Sequence, residues 1–456
     1  ALAPDGKLRH RALVYDPKLD AYPVLRGLGI PADRIHVLNP FDRRSTAWDI
    51  AADIKTQAAA EQLSATLLPK ADKENNPYFT NAPRELLTEL IDTLRRKAPG
   101  WTLNDLVQLV TRGFTQEVLS NSTPGARAAL REHLLDNAGE TAGNLRSSLR
   151  VGVRQYQTVA ALWERSSKPR LSLTAWMDPA TPPSVLLLGT FPEASESLQH
   201  LNRAIFQRCA ELLLSKPEYP PDHTWFIMDE LRIARELEKF PDTLIAARSK
   251  NGRFVLGFQD IHGLRVLYGE DQTEEIVAQC HNIALFRLSS PETIEWASKY
   301  FGSREWWAPN FGKSAGSSGA SDSHNVSLQE RQNILGSAFR ELPLPTPDLG
   351  IEGVFGTPTD PLWRVKLEPA LVRQYLPKET GDPGLSRRDP GDQEPAAFTG
   401  GLGEALGVSL GETQQEKAVG WLEPSLRPRS PPAQQPLPFG SLLPRHPRGP
   451  DGRSAK

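Results

Sequence analysis

A short apolar run that ends in two carboxylates, residues 224–230, most constrains what this chain can fold into. Four consecutive large apolar residues, from Trp225 to Met228, fit a strand that is buried on both faces of a parallel sheet. Asp229 and Glu230 then lie at the carboxyl end of this strand, where open α/β sheets bind their ligands. The run therefore predicts an α/β fold with a ligand site beside these two acids.

Adjacent acids in this position are typical of nucleotide chemistry. After such a strand in P-loop NTPases, one acid holds Mg²⁺ against the phosphates and a neighbouring carboxylate can position the attacking water. The pattern makes Asp229 the metal and cofactor ligand and Glu230 a catalytic residue. The alternative is an acid pair that caps the next helix, whose first turn favours negative charge. The sequence contains no G-x-x-x-x-G-K-[ST] loop, which would cradle the phosphates.

Composition excludes several other classes of protein. The net charge of −2 gives no basic field over the 456 residues, so contact with nucleic acid needs a local patch. The apolar runs of the sequence are too short to span a bilayer. Its nine histidines and two cysteines show no zinc-ligand spacing, and no G-x-S-x-G motif indicates acyl transfer.

The residue composition and patterning change along the chain and predict four regions. Short apolar runs that end near prolines predict the first part of an α/β domain over residues 1–48. Segments rich in Ala, Leu, Glu and Arg predict an all-α insertion over residues 49–170, and alternating strand and helix patterns predict the second part of the α/β domain over 171–376, which the family resemblance given below identifies with a motor domain. Residues 377–456, rich in Pro, Gly, Ser and Arg, are predicted to form a disordered tail.

Local patterns also predict individual elements. Helices are predicted to begin at Asn81, Thr102 and Thr123. The Gly-Ser break at residues 316–319 predicts a flexible link, and a helix is predicted to follow over residues 327–339. The predicted strands of the second half lie at residues 184–189, 225–228, 254–258 and 282–288, with a closing hairpin at 353–355 and 362–367.

Several motifs in this order resemble the coupling proteins of type IV secretion and conjugation systems, of the TraD/TraG kind. They are V-Y-D-P-K-L-D at residues 14–20, L-N-P-F-D-R-R-S at 38–45 with Trp48, the run at 225–231, R-S-K-N-G at 248–252 and G-F-Q at 257–259. The helical insertion after Trp48 matches as well, and the resemblance covers residues 10–376. One departure is Leu19, where the family usually has a glycine whose backbone can approach a ligand more closely.

The resemblance implies a RecA-like P-loop NTPase sheet with an inserted all-α domain. The phosphate-loop strand would fall upstream of Ala1, so this sheet is expected to lack it. Such proteins use ATP and Mg²⁺, assemble as homo-hexamers and move single-stranded DNA or protein substrates into a secretion channel. N-terminal membrane helices hold them at the cytoplasmic side of the bacterial inner membrane. Their expected partners are relaxosome or effector substrates and secretion-channel proteins.

Three further polar residues near strand ends are candidates for the same site. By resemblance, Arg248 matches the arginine finger that a neighbouring subunit offers to the γ-phosphate; the alternative is an exposed arginine at a helix end. Gln259 follows a strand and could contact the γ-phosphate or the attacking water through its amide, with a polar strand end as the alternative. Asp16, at the end of the first strand, is a further candidate for cofactor binding.

A basic stripe is the candidate nucleic-acid interface. Arg146, Arg150 and Arg154 recur every four residues, so on a helix they share one face. They are candidates for contact with the phosphates of a translocating strand, and a solvated helix face is the alternative. Trp306 and Trp307 are expected to pack in a core or an interface rather than to stack on bases.

The leading hypothesis is the cytoplasmic part of a type IV secretion coupling protein, an ATP-driven motor that binds and moves DNA or protein substrates. Whether this chain is itself an enzyme is left open, because it lacks the phosphate loop. One alternative is a non-catalytic protein that recruits partners to the secretion apparatus. Another is a related hexameric DNA pump, such as a chromosome-segregation translocase, which the helical insertion disfavours.

Overall fold

The computed structural model describes residues 8–70, 77–111, 123–135, 139–237, 240–316, 319–346, 348–359, 362–375 and 379–388. The strands of these residues are β1 Arg11–Asp16, β2 Ile35–Val37, β3 Val185–Gly189, β4 Thr224–Met228, β5 Gly252–Leu256, β6 Ile283–Leu285, β7 Ser303–Gly316, β8 Gly319–Gln332, β9 Ile351–Gly356 and β10 Trp363–Leu367.

The described helices alternate with these strands. They are α1 Ala21–Gly27, α2 Ile50–Asp53, α3 Gln57–Leu67, α4 Tyr78–Lys97, α5 Leu103–Thr111, α6 Pro124–Leu130, α7 Glu140–Arg154, α8 Gln157–Glu164, α9 Leu173–Met177, α10 Ser195–Leu214, α11 Phe240–Ala247, α12 Ile261–Ala278, α13 Pro291–Tyr300, α14 Gly336–Glu341 and α15 Pro369–Tyr375. Within the described ranges, none of the helices is both long and apolar enough to cross a membrane.

A parallel sheet with the order β2-β3-β1-β4-β5 forms the centre of the fold. Its strands have the apolar runs that the sequence analysis identified, and the central strand β1 and its neighbour β3 are buried along their whole length. β9 pairs with both β6 and β10 in a second, antiparallel sheet, which confirms the predicted closing hairpin. The α/β class with a parallel sheet is therefore confirmed.

Alternate residues of the central strands face two separate apolar cores. Leu13 and Tyr15 of β1 belong to the larger cluster, which also contains Phe226 of β4. Ala12 and Val14 belong to a smaller cluster on the opposite face. Because side chains alternate along a strand, burial on both faces requires the continuous apolar runs seen in the sequence.

The helices between β2 and β3 form the insertion, and backbone and side-chain hydrogen bonds join its two ends. Backbone bonds join Leu171 to residues on either side of Trp48. The Leu171 carbonyl accepts from the Asp49 amide at 2.8 Å, and the Leu171 amide donates to the Ala47 carbonyl at 2.8 Å.

The buried carboxylate of Asp53 also joins the two ends, because it accepts hydrogen bonds from residues at the start of α9 and from the Trp48 indole. These donors are Leu173 N at 2.7 Å, Thr174 N at 2.8 Å, Ser172 Oγ at 2.9 Å and Trp48 Nε1 at 2.7 Å.

Two of the three predicted helix starts are correct, and each has a capping side chain. Thr102 Oγ1 accepts from the amide of Asp105, whose carboxylate accepts in return from the Thr102 amide. Thr123 caps α6, which has Pro124 in its first turn. The predicted start at Asn81 is wrong, because α4 begins at Tyr78 and carries Pro83 inside the helix.

The helix predicted over residues 327–339 is wrong over most of its length. β8 extends to Gln332 and pairs with β7 in an antiparallel ribbon, and only the short α14 follows. Val326 and Leu328 alternate with polar residues, which is the period of a strand, and they lie opposite Pro309 and Trp307. Trp306 and Trp307 are 46% and 66% exposed, so they do not pack in a core of the described chain, and packing in an interface stays a prediction.

The first described part of the predicted disordered tail is bound to the loop that follows β2. Residues 382–388, here named the C-terminal strap, make hydrogen bonds to residues 41–44; for example, Arg43 N donates to Ser386 O at 2.7 Å. Composition did not reveal this contact because the partner segment lies more than 300 residues away in the sequence. Residues 389–456 lie outside the described residues.

We expect Asp53→Ala to lower the free energy of unfolding by about 3 kcal/mol, because several buried donors lose their acceptor. Urea denaturation measures this change. Asp33→Ala is the control, since the Asp33 side chain is 77% exposed and lies 3.7 Å from Arg34, and it should change stability by less than about 0.5 kcal/mol. Equal effects of the two substitutions would contradict the assigned role of Asp53.

Candidate functional site

The carboxyl ends of three adjacent strands bring four polar side chains together. β1, β4 and β5 are neighbours in the parallel sheet, so the residues that follow them meet at one edge. Lys18 follows β1, Asp229 and Glu230 follow β4, and Gln259 follows β5. The two acids and the glutamine are residues that the sequence analysis assigned to one site.

Glu230 is a buried carboxylate with polar partners. Burial raises its pKa above the usual value, while the charge of Lys18 and a hydrogen bond from the Gln259 amide act in the opposite direction. Glu230 therefore binds a proton more tightly than an exposed glutamate does, yet Lys18, the Arg232 backbone amide and Gln259 favour its ionised form. Such a carboxylate is suited to accept a proton from a bound water.

Asp229 lies beside Glu230 but faces solvent. Its side chain is 52% exposed, and its Oδ2 lies 3.2 Å from Lys18 Nζ. The hydrogen bond and the charge of Asp229 raise the pKa of Lys18. The sequence analysis gave Lys18 no role, although its place two residues after a strand end was the signal that could have assigned one.

The residues at this edge fit Mg²⁺ in one particular way. The described residues contain no group of three or more His, Cys, Asp or Glu side chains that could hold a metal ion. Mg²⁺ keeps several waters and is usually bound through one or two carboxylates together with substrate phosphates. The exposed carboxylate of Asp229, which is paired with the ammonium group of Lys18, fits this mode of binding.

Close backbone contact fixes the acids relative to Gln259. Gly257 N donates to Met228 O at 2.8 Å, and Leu231 N donates to Gly257 O at 2.8 Å. A Cβ atom on Gly257 would lie 2.3 Å from the carbonyl oxygen of Asp229. Only glycine therefore allows the loops after β4 and β5 to approach this closely.

Asp16 has a local structural role. Its buried carboxylate accepts from Ala21 N at 2.8 Å and from Asp20 N at 3.3 Å, at the start of α1. Burial raises the pKa of Asp16, and these backbone donors oppose the shift. Its oxygens serve the loop after β1, so direct contact with a cofactor stays a prediction.

Leu19 has a left-handed backbone conformation in the same loop, with a φ of 61°. This conformation costs a residue with a Cβ atom about 1–2 kcal/mol. Thr190 Oγ1 donates to the carbonyl of Pro17 at 3.0 Å and holds the loop from the neighbouring strand end. The loop that carries Lys18 is thus strained at one residue and held by contacts on several sides.

Arg248 lies at the amino-terminal ends of the strands, opposite the end that carries Asp229 and Glu230. It begins a short 3₁₀ turn, Arg248–Lys250, directly before β5, and its side chain is exposed. Because β5 runs from this turn toward Gln259, the two residues are separated by roughly 20 Å at about 3.3 Å per residue. Arg248 is therefore remote from the acids of its own chain.

The three arginines of the basic stripe share the exposed face of α7. Ala142, Leu145, Leu149 and Val153 form the buried face of this helix. Arg146, Arg150 and Arg154 are exposed, and no ion pair joins them to another described residue. The predicted helical stripe is thus present, on an element separate from the carboxyl edge of the sheet.

Comparisons with known proteins agree with this architecture. A family model described as the type IV secretion-system coupling protein DNA-binding domain matches residues 7–367. The coupling protein TraD of Escherichia coli (strain K12) is 23% identical over 370 residues, which cover 80% of this chain and 48% of TraD. The chain thus spans about half the length of this curated relative.

Solved structures of the bacterial conjugative coupling protein TrwB have a similar fold. Its TrwBdeltaN70 form, unbound, has a TM-score of 0.64 at 19% identity, over 83% of this chain and 81% of that chain. TrwB in complex with ADP and Mg²⁺ has a TM-score of 0.61 at 20% identity, over 82% and 81% of the two chains. The family match extends over most of the sequence and agrees with the order of its motifs, so the chain belongs to the type IV secretion-system coupling proteins.

Proposed function

We propose that this chain carries most of the motor of a coupling protein that hydrolyses ATP with Mg²⁺ and moves DNA or protein substrates. The observation that carries the proposal is the group at the carboxyl edge: buried Glu230 with Gln259 on one side, and exposed Asp229 paired with Lys18. The complexes of TrwB with nucleotides support it as well. A phosphate loop from outside this sequence would complete the site.

Each residue of this group has a distinct task in the proposal. Asp229 would bind the metal ion, and the Lys18 ammonium, held beside it, would neutralise charge on nearby phosphate oxygens. Glu230 orients the attacking water and accepts its proton, which its raised pKa favours. The Gln259 amide donates to the carboxylate and holds it in position. Bound Mg²⁺-ATP supplies the γ-phosphoryl group and a metal that neutralises its charge.

Arg248 is proposed to act on the site of a neighbouring subunit. Its distance from Glu230 of the same chain agrees with a role in trans, since a finger offered to a neighbour must face outward. An arginine finger stabilises charge in the transition state and increases rates by about 10³–10⁵ in other systems. This role requires subunits arranged in a ring, and the homo-hexamer that the family resemblance implies would provide that arrangement.

The proposed partners follow from the family and from the charge of α7. Single-stranded DNA would contact Arg146, Arg150 and Arg154, and the family description as a DNA-binding domain supports this assignment. Relaxosome or effector substrates and secretion-channel proteins are the further proposed partners. The complete protein is proposed to lie at the cytoplasmic side of the inner membrane, attached by N-terminal helices.

The first prediction concerns two inactive variants of the protein encoded by the whole gene. Glu230→Gln should lower kcat for ATP by at least about 10²-fold, because the proton acceptor is lost, and Arg248→Ala should do the same in trans. Mixed subunits of the two variants should regain part of the activity, since some interfaces then combine an intact Glu230 with an intact Arg248. Phosphate release measures the rates.

Matched controls separate this result from unspecific damage. Glu236→Gln and Arg253→Ala change exposed residues of the same types and should leave the rate unchanged. Absence of recovery on mixing would contradict the role of Arg248 in trans. A wild-type protein that binds partners but does not hydrolyse ATP would support the non-catalytic alternative.

The second prediction concerns the pH dependence of stability. The folded-state pKa of Glu230 is raised above 4.5 by burial, so the folded protein binds this proton more tightly than the unfolded chain. Stability is therefore lost as the pH rises from about 4.5 through the raised pKa. Thermal unfolding should show Glu230→Gln to be more stable than the wild type at pH 8, with a difference that shrinks toward pH 4. A pH-independent difference would contradict this.

The third prediction concerns the basic stripe. Replacement of Arg146, Arg150 and Arg154 by alanine should weaken binding of single-stranded DNA and reduce the slope of log K against log salt by about 2, at roughly 0.7 per phosphate contact. Fluorescence anisotropy at several salt concentrations measures both values. The control replaces the exposed Arg253, Arg287 and Arg331, which makes the same change in net charge. Equal slopes for the two triple variants would assign the stripe to a solvated face.

A further inference from the structure

The L-N-P-F-D-R-R-S motif has no part in the group around Glu230, and the structure gives it another partner. Its residues bind the C-terminal strap, residues 382–388. Ser386 N donates to the buried Asp42 carboxylate at 3.2 Å, and Arg388 N donates to the Phe41 carbonyl at 3.1 Å. The strap therefore lies along the motif through its backbone.

Arg44 is the central residue of this contact. Its guanidinium bonds to the Asp42 carboxylate, and it also donates to the carbonyls of Pro383 at 2.9 Å and Gly384 at 2.8 Å. The same group lies 3.7 Å from the centre of the Tyr22 ring in α1. One arginine thus joins the strap, the motif and the helix that follows the Lys18 loop.

The strap also touches the strained residue of that loop. A Cβ atom on Gly384 would lie 2.0 Å from the carbonyl oxygen of Leu19, so the strap contacts the backbone directly after Lys18. On the other side, a Cβ atom on Gly189 would lie 2.8 Å from Leu19 Cδ2. Leu19 is therefore enclosed between two glycines, one of the sheet and one of the strap.

We propose that the strap holds Leu19 in its left-handed conformation and thereby positions Lys18 beside Asp229. A strained backbone persists only where its surroundings determine it, and Thr190, Gly189 and the strap are those surroundings here. Without the strap, the loop relaxes and Lys18 leaves Asp229. The strap is thus a positioning element, and its effect on nucleotide chemistry rests on the proposed function.

The test uses Gly384→Ala in the full chain, because the added methyl group forces the strap away from Leu19. Hydrogen exchange of the Asp20 and Ala21 amides, which bond to Asp16, should become about tenfold faster, as expected for release of strain at one residue. Adding Leu19→Gly should return exchange close to the wild-type rate, because glycine takes this conformation without support. Gly143→Ala, at an open helical position, is the control.

A second variant guards against a local misfolding effect of the added methyl group. Ser386→Pro removes the amide that donates to Asp42 and should accelerate exchange at the same two amides, again with rescue by Leu19→Gly. Unchanged exchange in both variants, or acceleration that Leu19→Gly does not reverse, would overturn the proposal.

The rate of ATP hydrolysis separates the failure of this proposal from failure of the proposed function. In the protein encoded by the whole gene, Gly384→Ala should lower the rate and Leu19→Gly should restore it. A wild type without hydrolysis, combined with the expected exchange pattern, would refute the ATPase and leave the strap in its positioning role. Normal hydrolysis in Gly384→Ala would refute that role.

Discussion

The parallel pairing of β1 between β3 and β4 is the constraint on which the rest of the structure depends. It requires apolar side chains on both faces of β1, and these belong to the two separate cores on either side of the sheet. It also brings the loop after β1 next to the acids after β4. The ion pair between Lys18 and Asp229 exists because these two strands are neighbours in the sheet.

Much of the site followed from the sequence because its residues lie directly after apolar strands. The position of Asp229, Glu230 and Gln259 at one edge needs only strand patterns and the geometry of a parallel sheet. The partner of Lys18 could not be predicted, since it depends on strand order. The structural role of Asp16 was missed for a different reason: its partners are backbone amides, which every residue except proline provides.

Two of the errors in the fold concern segments whose structure depends on pairing with another segment. The helix predicted over residues 327–339 overlaps part of β8, where Val326 and Leu328 alternate with polar residues and β7 pairs across the ribbon. The strap has a composition typical of disorder, yet Arg44 supplies donors for its carbonyl groups. Local sequence carries no information on such partners.

The large core described above is continuous between the inserted helices and the parallel sheet. Leu149 and Val153, on the inner side of α7, belong to the same packed cluster as Leu186 and Phe226 of the sheet. Close-packed interiors have low compressibility and transmit displacement instead of absorbing it. A displacement of the strands would therefore reach α7, and the arginines on its outer face, through side chains that are already in contact.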